Sequence, residues 1–146
     1  MSHTNLLYHL VFATKDRIGS ISPTWKSRLH GYLGGIIKGQ SGIPIEINGI
    51  EDHLHALVRL SPKRAIADVL RELKSDSSTF VKKEFDRSFG WQKRYGAFSV
   101  SESNVEAVRR YIRNQKEHHK RIGFTDEYKR LLVLNGVDFD ERYLWG

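Results

Sequence analysis

The chain has 146 residues with 24 Lys and Arg against 17 Asp and Glu, a formal charge of +7, and its 39% hydrophobic content supports one domain with a core. Cysteine is absent, which excludes a disulfide framework, a thiolate-held zinc or iron–sulfur centre and a cysteine nucleophile, so any metal must be held by nitrogen and oxygen donors. No apolar run reaches about 18 residues and Met1 to Asn5 opens no secretory signal, so a soluble cytoplasmic protein is expected.

Leu6 to Thr14 is aliphatic and aromatic and reads as a buried first strand. Ser22-Pro23 offers a cap and a first-turn proline, and Trp25, Leu29, Leu33, Ile36 and Ile37 recur at helical spacing up to Gly39. Ile43 to Ile50 and His53 to Leu60 form two strand-like runs about a turn at Gly49-Ile50-Glu51-Asp52, an antiparallel hairpin. Ser61-Pro62 repeats the helix start, and Ile66, Val69, Leu70, Leu73, Phe80 and Val81 predict a second helix interrupted by the polar stretch Lys74 to Thr79. Phe89 to Gly96 reads as an aromatic loop and Ala97 to Ser101 as a fourth strand. Ser103-Asn104-Val105-Glu106 has the form of a capping box opening a third helix that runs to His119. Thr125 caps a last helix through Leu134, and the tail Val137 to Gly146 carries no assignment. The order is that of a ferredoxin-like split βαβ domain over residues 1–146, α+β, with an antiparallel four-stranded sheet and helices on one face. A sheet with one free face is also the layout of RNA-recognition modules.

Side chains alternate along a strand, so His53 and His55 point to one face and can reach one ion. Read alone, such a pair is more simply a polar pair on a solvated face. Tyr111 and Gln115 lie one turn apart on the third helix and project together; alone, they read as a rim aromatic and a solvated amide. Complementarity changes the reading: the His pair lacks a third ligand, and the helix supplies an amide oxygen with a phenol beside it. Such a set suits phosphodiester cleavage, with a divalent Lewis acid on the phosphate and tyrosine as covalent nucleophile. Asp52 reads as a turn-capping residue, or else as an acceptor for a ligand histidine's other N–H. His9 reads as a core or sheet-face histidine, not a ligand. His118 and His119 favour the helix dipole or touch phosphate, with a second metal site a remote option.

On His53-Leu54-His55 and Tyr111-x-x-x-Gln115, with Leu6 to Arg17 and Trp91 to His119 in support, the chain resembles the HUH single-tyrosine transposases of insertion sequences, repeat-associated relatives included. The resemblance implies that His53, His55 and Gln115 hold Mg²⁺ or Mn²⁺. It also implies that Tyr111 forms a 5′-phosphotyrosine link to single-stranded DNA at hairpin-bearing element ends, freeing a 3′-hydroxyl, and that the protein works as a homodimer, commonly with the tyrosine helix of one subunit completing the site of the other. Glu51 stands where the family more usually has proline before the Asp.

The sequence pI of about 9.7 fits a polyanionic partner. Lys15, Arg17, Lys93, Arg94, Arg109, Arg110 and Lys116 are the chosen DNA contacts, and Trp91, Tyr95 and Phe98 either stack bases or belong to the core. The rival reading is a non-catalytic single-stranded nucleic-acid-binding module on an RNA-recognition-like sheet, for which Tyr111 and Gln115 are ordinary helix residues.

Overall fold

The computed structural model describes residues 2–145. Four strands, β1 (Leu6–Ala13), β2 (Ile43–Ile50), β3 (His53–Leu60) and β4 (Gly96–Val100), form one antiparallel sheet in the order β2-β3-β1-β4. This is the expected ferredoxin-like order, with β1 and β3 central and their two faces both buried.

One face carries Leu10 and Phe12 of β1 and Leu54, Ala56, Val58 and Leu60 of β3. Against it pack α1 (Lys26–Gly39), through Leu29, Leu33 and Ile37 at four-residue spacing, and α2 (Ile66–Glu84), through Val69, Leu70, Leu73 and Val81. The α2 helix runs unbroken through the polar stretch, because Ser77 falls on its buried face and its hydroxyl accepts from Trp91 Nε1 at 2.9 Å. Both helices begin later than their Ser-Pro pairs. The Ser22 and Ser61 hydroxyls accept from the amides of Thr24 and Lys63, both at 3.2 Å, so each serine closes a local turn ahead of its helix.

The opposite face is not free. It is covered by α3 (Val105–Arg113), α4 (Gln115–His118) and α5 (Phe124–Leu134), and Phe124, Tyr128, Leu131 and Leu132 of α5 close over Val11, Ala13 and Phe98. Of the tail without assignment, residues through 145 are described, and Leu144 and Trp145 join this second core. The capping box does not form. Asn104 caps α3 without a side-chain bond, and Glu106 pairs forward with Arg109 at 3.3 Å.

The expected third helix also breaks, at Asn114 (φ −91°, ψ 20°). Asn48 of β2 donates through Nδ2 to the carbonyls of Ile112 (2.9 Å) and Arg113 (3.2 Å), capturing acceptors of the last α3 turn. Glu46, two residues back on β2, pairs with Arg113 at 2.9 Å and Arg109 at 3.5 Å. Together they fasten α3 across the sheet, above the His pair.

Candidate active site

The β1–β3 register sets Ala13 opposite His53 and Val11 opposite His55, so both imidazoles rise from the centre of the covered face and are fully buried. Each ring is held from behind. His53 Nδ1 lies 2.7 Å from Asp52 Oδ1, and His55 Nδ1 lies 2.8 Å from His9 Nε2. These bonds fix which nitrogen faces forward. Asp52 is thus an acceptor for a histidine rather than a simple turn cap, a correction to the preferred sequence reading, while His9 stands behind the pair as a buried histidine. Phe124 stacks on His53 with centroids 4.1 Å apart. Burial lowers His9 to about 3, with His55 adding to the shift, and lowers His55 to about 4 against the pull of Glu127.

The break at Asn114 turns Gln115 inward, where it is fully buried. Its Oε1 lies 2.9 Å from His53 Nε2, and its Nε2 donates to Glu127 Oε2 at 3.1 Å. The hydroxyl of Tyr111 donates to Glu127 Oε2. Burial and this neighbouring carboxylate raise the phenol well above its ordinary value, keeping it protonated. Tyr111, His53, His55 and Gln115 are thereby brought together within one chain.

Two further residues enter: Glu127, which the sequence reading left out, and His119, to which it gave another preferred role. Glu127 of α5 and His119 join His53 and His55 with donor atoms all within 4.8 Å of one another. Glu127 is 1% exposed, and burial opposes its ionisation. The hydrogen bonds from His119 and His55 outweigh that and hold the carboxyl well below the usual range. A signal for it existed: Phe124, Glu127, Tyr128 and Leu131 follow i, i+3, i+4, i+7, so Glu127 stands inside the apolar stripe of its helix. His119, read as a dipole or phosphate contact, lies 3.0 Å from both Gln115 Oε1 and Glu127 Oε1.

The donor set fits a cation. His53 Nδ1 faces the Asp52 carboxylate and His119 Nδ1 the carbonyl of Ile122 at 2.8 Å, so both must donate there. In the neutral rings each Nε2 then presents a lone pair toward Gln115 Oε1, itself an acceptor, with Glu127 Oε1 3.4 Å from His53 Nε2 and 3.0 Å from His119 Nε2. Acceptors facing acceptors in a buried space require a proton or a metal ion between them.

An open groove of about 480 Å³ leads to Tyr111 along β4 and α3, lined by His9, Phe98, Val100, Asn104, Val108 and Leu131 among others. The chosen basic residues are not gathered there. Lys15, Lys93, Arg94, Arg110 and Lys116 are exposed, whereas Arg17 lies 4.4 Å over the Trp145 ring and Arg109 is engaged by Glu46 and Glu106. Phe98 is core, and so is most of Trp91, which packs edge-on to Phe12 at 4.7 Å; Tyr95 is exposed. Among the described residues no helix is long and apolar enough to cross a membrane.

Comparison with known proteins bears on the fold and the family. A transposase for insertion sequence element IS200 from Salmonella typhimurium is 26% identical over 130 residues, 82% of this chain and 84% of its own. The ISDra2 transposase TnpA of Deinococcus radiodurans is 27% identical over 124 residues, covering 77% and 85%. Among solved structures, a Deinococcus radiodurans transposase superposes with a TM-score of 0.65 at 25% identity over 78% of this chain and 93% of that one. A REP-associated tyrosine transposase bound to a REP hairpin shares the fold, with a TM-score of 0.64 at 13% identity over 84% and 76%. Residues 2–115 match the family model described as "Transposase IS200 like", and the chain belongs to that family of DNA transposases.

Proposed function

We propose that the protein cleaves and rejoins single-stranded DNA at element ends, with Tyr111 as nucleophile and His53, His55 and Gln115 holding Mg²⁺ or Mn²⁺. The observation that carries this reading is the meeting of the Tyr111 hydroxyl with the buried His53–His55–Gln115 cluster at the end of an open groove. When bound, the ion supplies a Lewis acid that polarises the scissile phosphate. As its proton passes to water, the phenolic oxygen of Tyr111 attacks phosphorus, the P–O3′ bond breaks, and the 3′ oxygen takes up a proton from water and leaves as a hydroxyl. The phosphotyrosine conserves the bond for later attack by another 3′-hydroxyl. Asp52 and His9 keep the two imidazoles aimed inward throughout.

The DNA partner is a hairpin-bearing end, supported by the hairpin held by the REP-associated neighbour, and exposed Lys93, Arg94, Arg110 and Lys116 supply backbone contacts of the expected kind. A homodimer is the expected assembly. The contact of Tyr111 with the cluster of its own chain supports cleavage within one subunit rather than across two. The rival reading, an open RNA-recognition-like sheet, loses its platform because α3, α4 and α5 cover that face.

The test uses labelled single-stranded oligonucleotides from both flanks of the gene, incubated with Mn²⁺ or Mg²⁺ and resolved on a denaturing gel beside Tyr111→Phe. A metal-dependent protein–DNA adduct lost in the variant is expected. An adduct that persists in Tyr111→Phe refutes the nucleophile.

A further inference from the structure

We propose that Glu127 is a fourth donor of this metal centre through Oε1 and, through Oε2, the residue that fixes the Tyr111 hydroxyl beside it. The inference rests on the metal reading above and extends it to a residue twelve positions beyond the last one matched to the family, Gln115.

Three observations carry it. First, Glu127 Oε1 stands at the focus of three imidazoles, 3.0 Å from His119 Nε2, 3.1 Å from His55 Nε2 and 3.4 Å from His53 Nε2. Second, the carboxylate is almost fully buried, and among the described residues its ion-pair partners are all histidines, with His118 at 3.4 Å completing the set and no Lys or Arg paired to it. A buried carboxylate without a permanent cation is costly, and a divalent ion among the same donors removes that cost. Third, the second oxygen is committed elsewhere, accepting from the Tyr111 hydroxyl and from Gln115 Nε2 at 3.1 Å. One side chain therefore spans from the imidazoles to the tyrosine.

The chemistry of the donor set changes accordingly. Two imidazoles and an amide are of intermediate softness and accept Zn²⁺ as readily as Mg²⁺ or Mn²⁺; an anionic oxygen shifts the set toward the harder ions. It also reduces the net charge of the occupied centre. Glu127 positions Tyr111 rather than reacting itself. The apolar stripe of α5 seats it, with Phe124 stacked on His53 and Tyr128 and Leu131 in the core below β1 and β4.

The experiment is calorimetric titration of the full chain with MnCl₂ alone, without DNA, for wild type, Glu127→Gln and His53→Ala, each checked by circular dichroism. Glu127→Gln keeps the volume and an acceptor for Tyr111 but loses the charge, and is expected to weaken Mn²⁺ at least about tenfold. Binding within twofold of wild type in folded Glu127→Gln, while His53→Ala is weakened, overturns the role of Glu127 and leaves the metal reading standing. If His53→Ala also binds like wild type, the metal reading falls and this inference with it. Should Glu127→Gln not fold, crystals of the wild type soaked in Mn²⁺ decide: an anomalous peak at about 2.2 Å from Glu127 Oε1 supports the role, and a peak on the histidines with the carboxylate outside bonding distance refutes it.

Discussion

Gly49→Ala tests whether the hairpin sets the geometry of the His pair. Gly49 pairs with Leu54 across β2 and β3, and a Cβ built there would lie 2.2 Å from the carbonyl oxygen of His53 and 3.0 Å from Leu54 Cα. Ordinary contact begins near 3.4 Å, so the strands must part by 3.4 − 2.2 = 1.2 Å beside the first metal-ligand candidate. Both obstacles are backbone, which has no rotamer to move. Parting by that much breaks one or two ladder hydrogen bonds at about 1 kcal/mol each. Added strain of about 1–2 kcal/mol brings the loss to roughly 3 kcal/mol. At about 0.3 kcal/mol per degree for a chain of this length, the thermal midpoint falls by about 10 °C. Gly35→Ala is the matched control: it sits in α1 with nothing within 4 Å, and removing a helical glycine there raises the midpoint by about 2–3 °C. Thermal unfolding followed by circular dichroism reads both, and Mn²⁺ titration reads the site. A Gly49→Ala midpoint within 2 °C of wild type would refute the argument from close approach.

Acid should destabilise the metal-free protein well before its carboxylates titrate. Burial holds His30 and His55 at about 4 and His9 at about 3, below the ordinary 6.5, so between pH 6.5 and 4 the unfolded chain binds more protons and stability falls as pH falls. His119 works the other way: burial lowers it, but the Glu127 bond raises it overall, so its contribution is full at low pH and fades as pH rises. His118, lowered by burial, adds to the fall, so four lowered histidines against one raised give a net uptake of about three protons, about 4 kcal/mol per pH unit at most, and a flat melting temperature from pH 7 to 4.5 in chelator would contradict it. Lys74→Met should free the loop ahead of β4, since the ammonium donates to the carbonyls of Gln92, Lys93 (3.0 Å) and Arg94 (3.4 Å). A loss of about 1–3 kcal/mol is expected, with faster tryptic cleavage after Lys93 and Arg94; an unchanged cleavage rate would refute it. Asn48→Ala removes both donors to the end of α3, and amide exchange from Ile112 to Lys116 should accelerate, with weaker Mn²⁺ binding as Gln115 loosens; exchange at the wild-type rate would show that the tether is idle.

Much of the frame was legible because it is local. β1 and β3 announce themselves as apolar runs, α1 by the spacing of Leu29, Leu33 and Ile37, and the strand order follows from connections that leave few alternatives. His53, His55, Tyr111 and Gln115 were legible because each pair follows the period of its own element. Glu127 and His119 were not, since their role exists only where α5 crosses the sheet, and Asp126-Glu127 near a helix start reads as ordinary dipole compensation. The Asn114 break was hidden for the same reason: the force that makes it comes from Asn48, 66 positions earlier in sequence. Ser22 and Ser61 misled in the other direction, offering helix starts where the chain makes only a turn.

The cluster unites His53 with Glu127, which stand 127 − 53 = 74 positions apart in the chain. On a ribosome adding about 5–20 residues per second, several seconds separate the synthesis of the two. By the end of that interval the first six elements are made and present their histidines, yet the covering layer lacks α5 and the imidazoles are not yet closed in. On the reading proposed above, with Glu127 completing the centre, competence to cut DNA waits for the last helix, and a truncated or stalled product carries the His pair without its fourth donor.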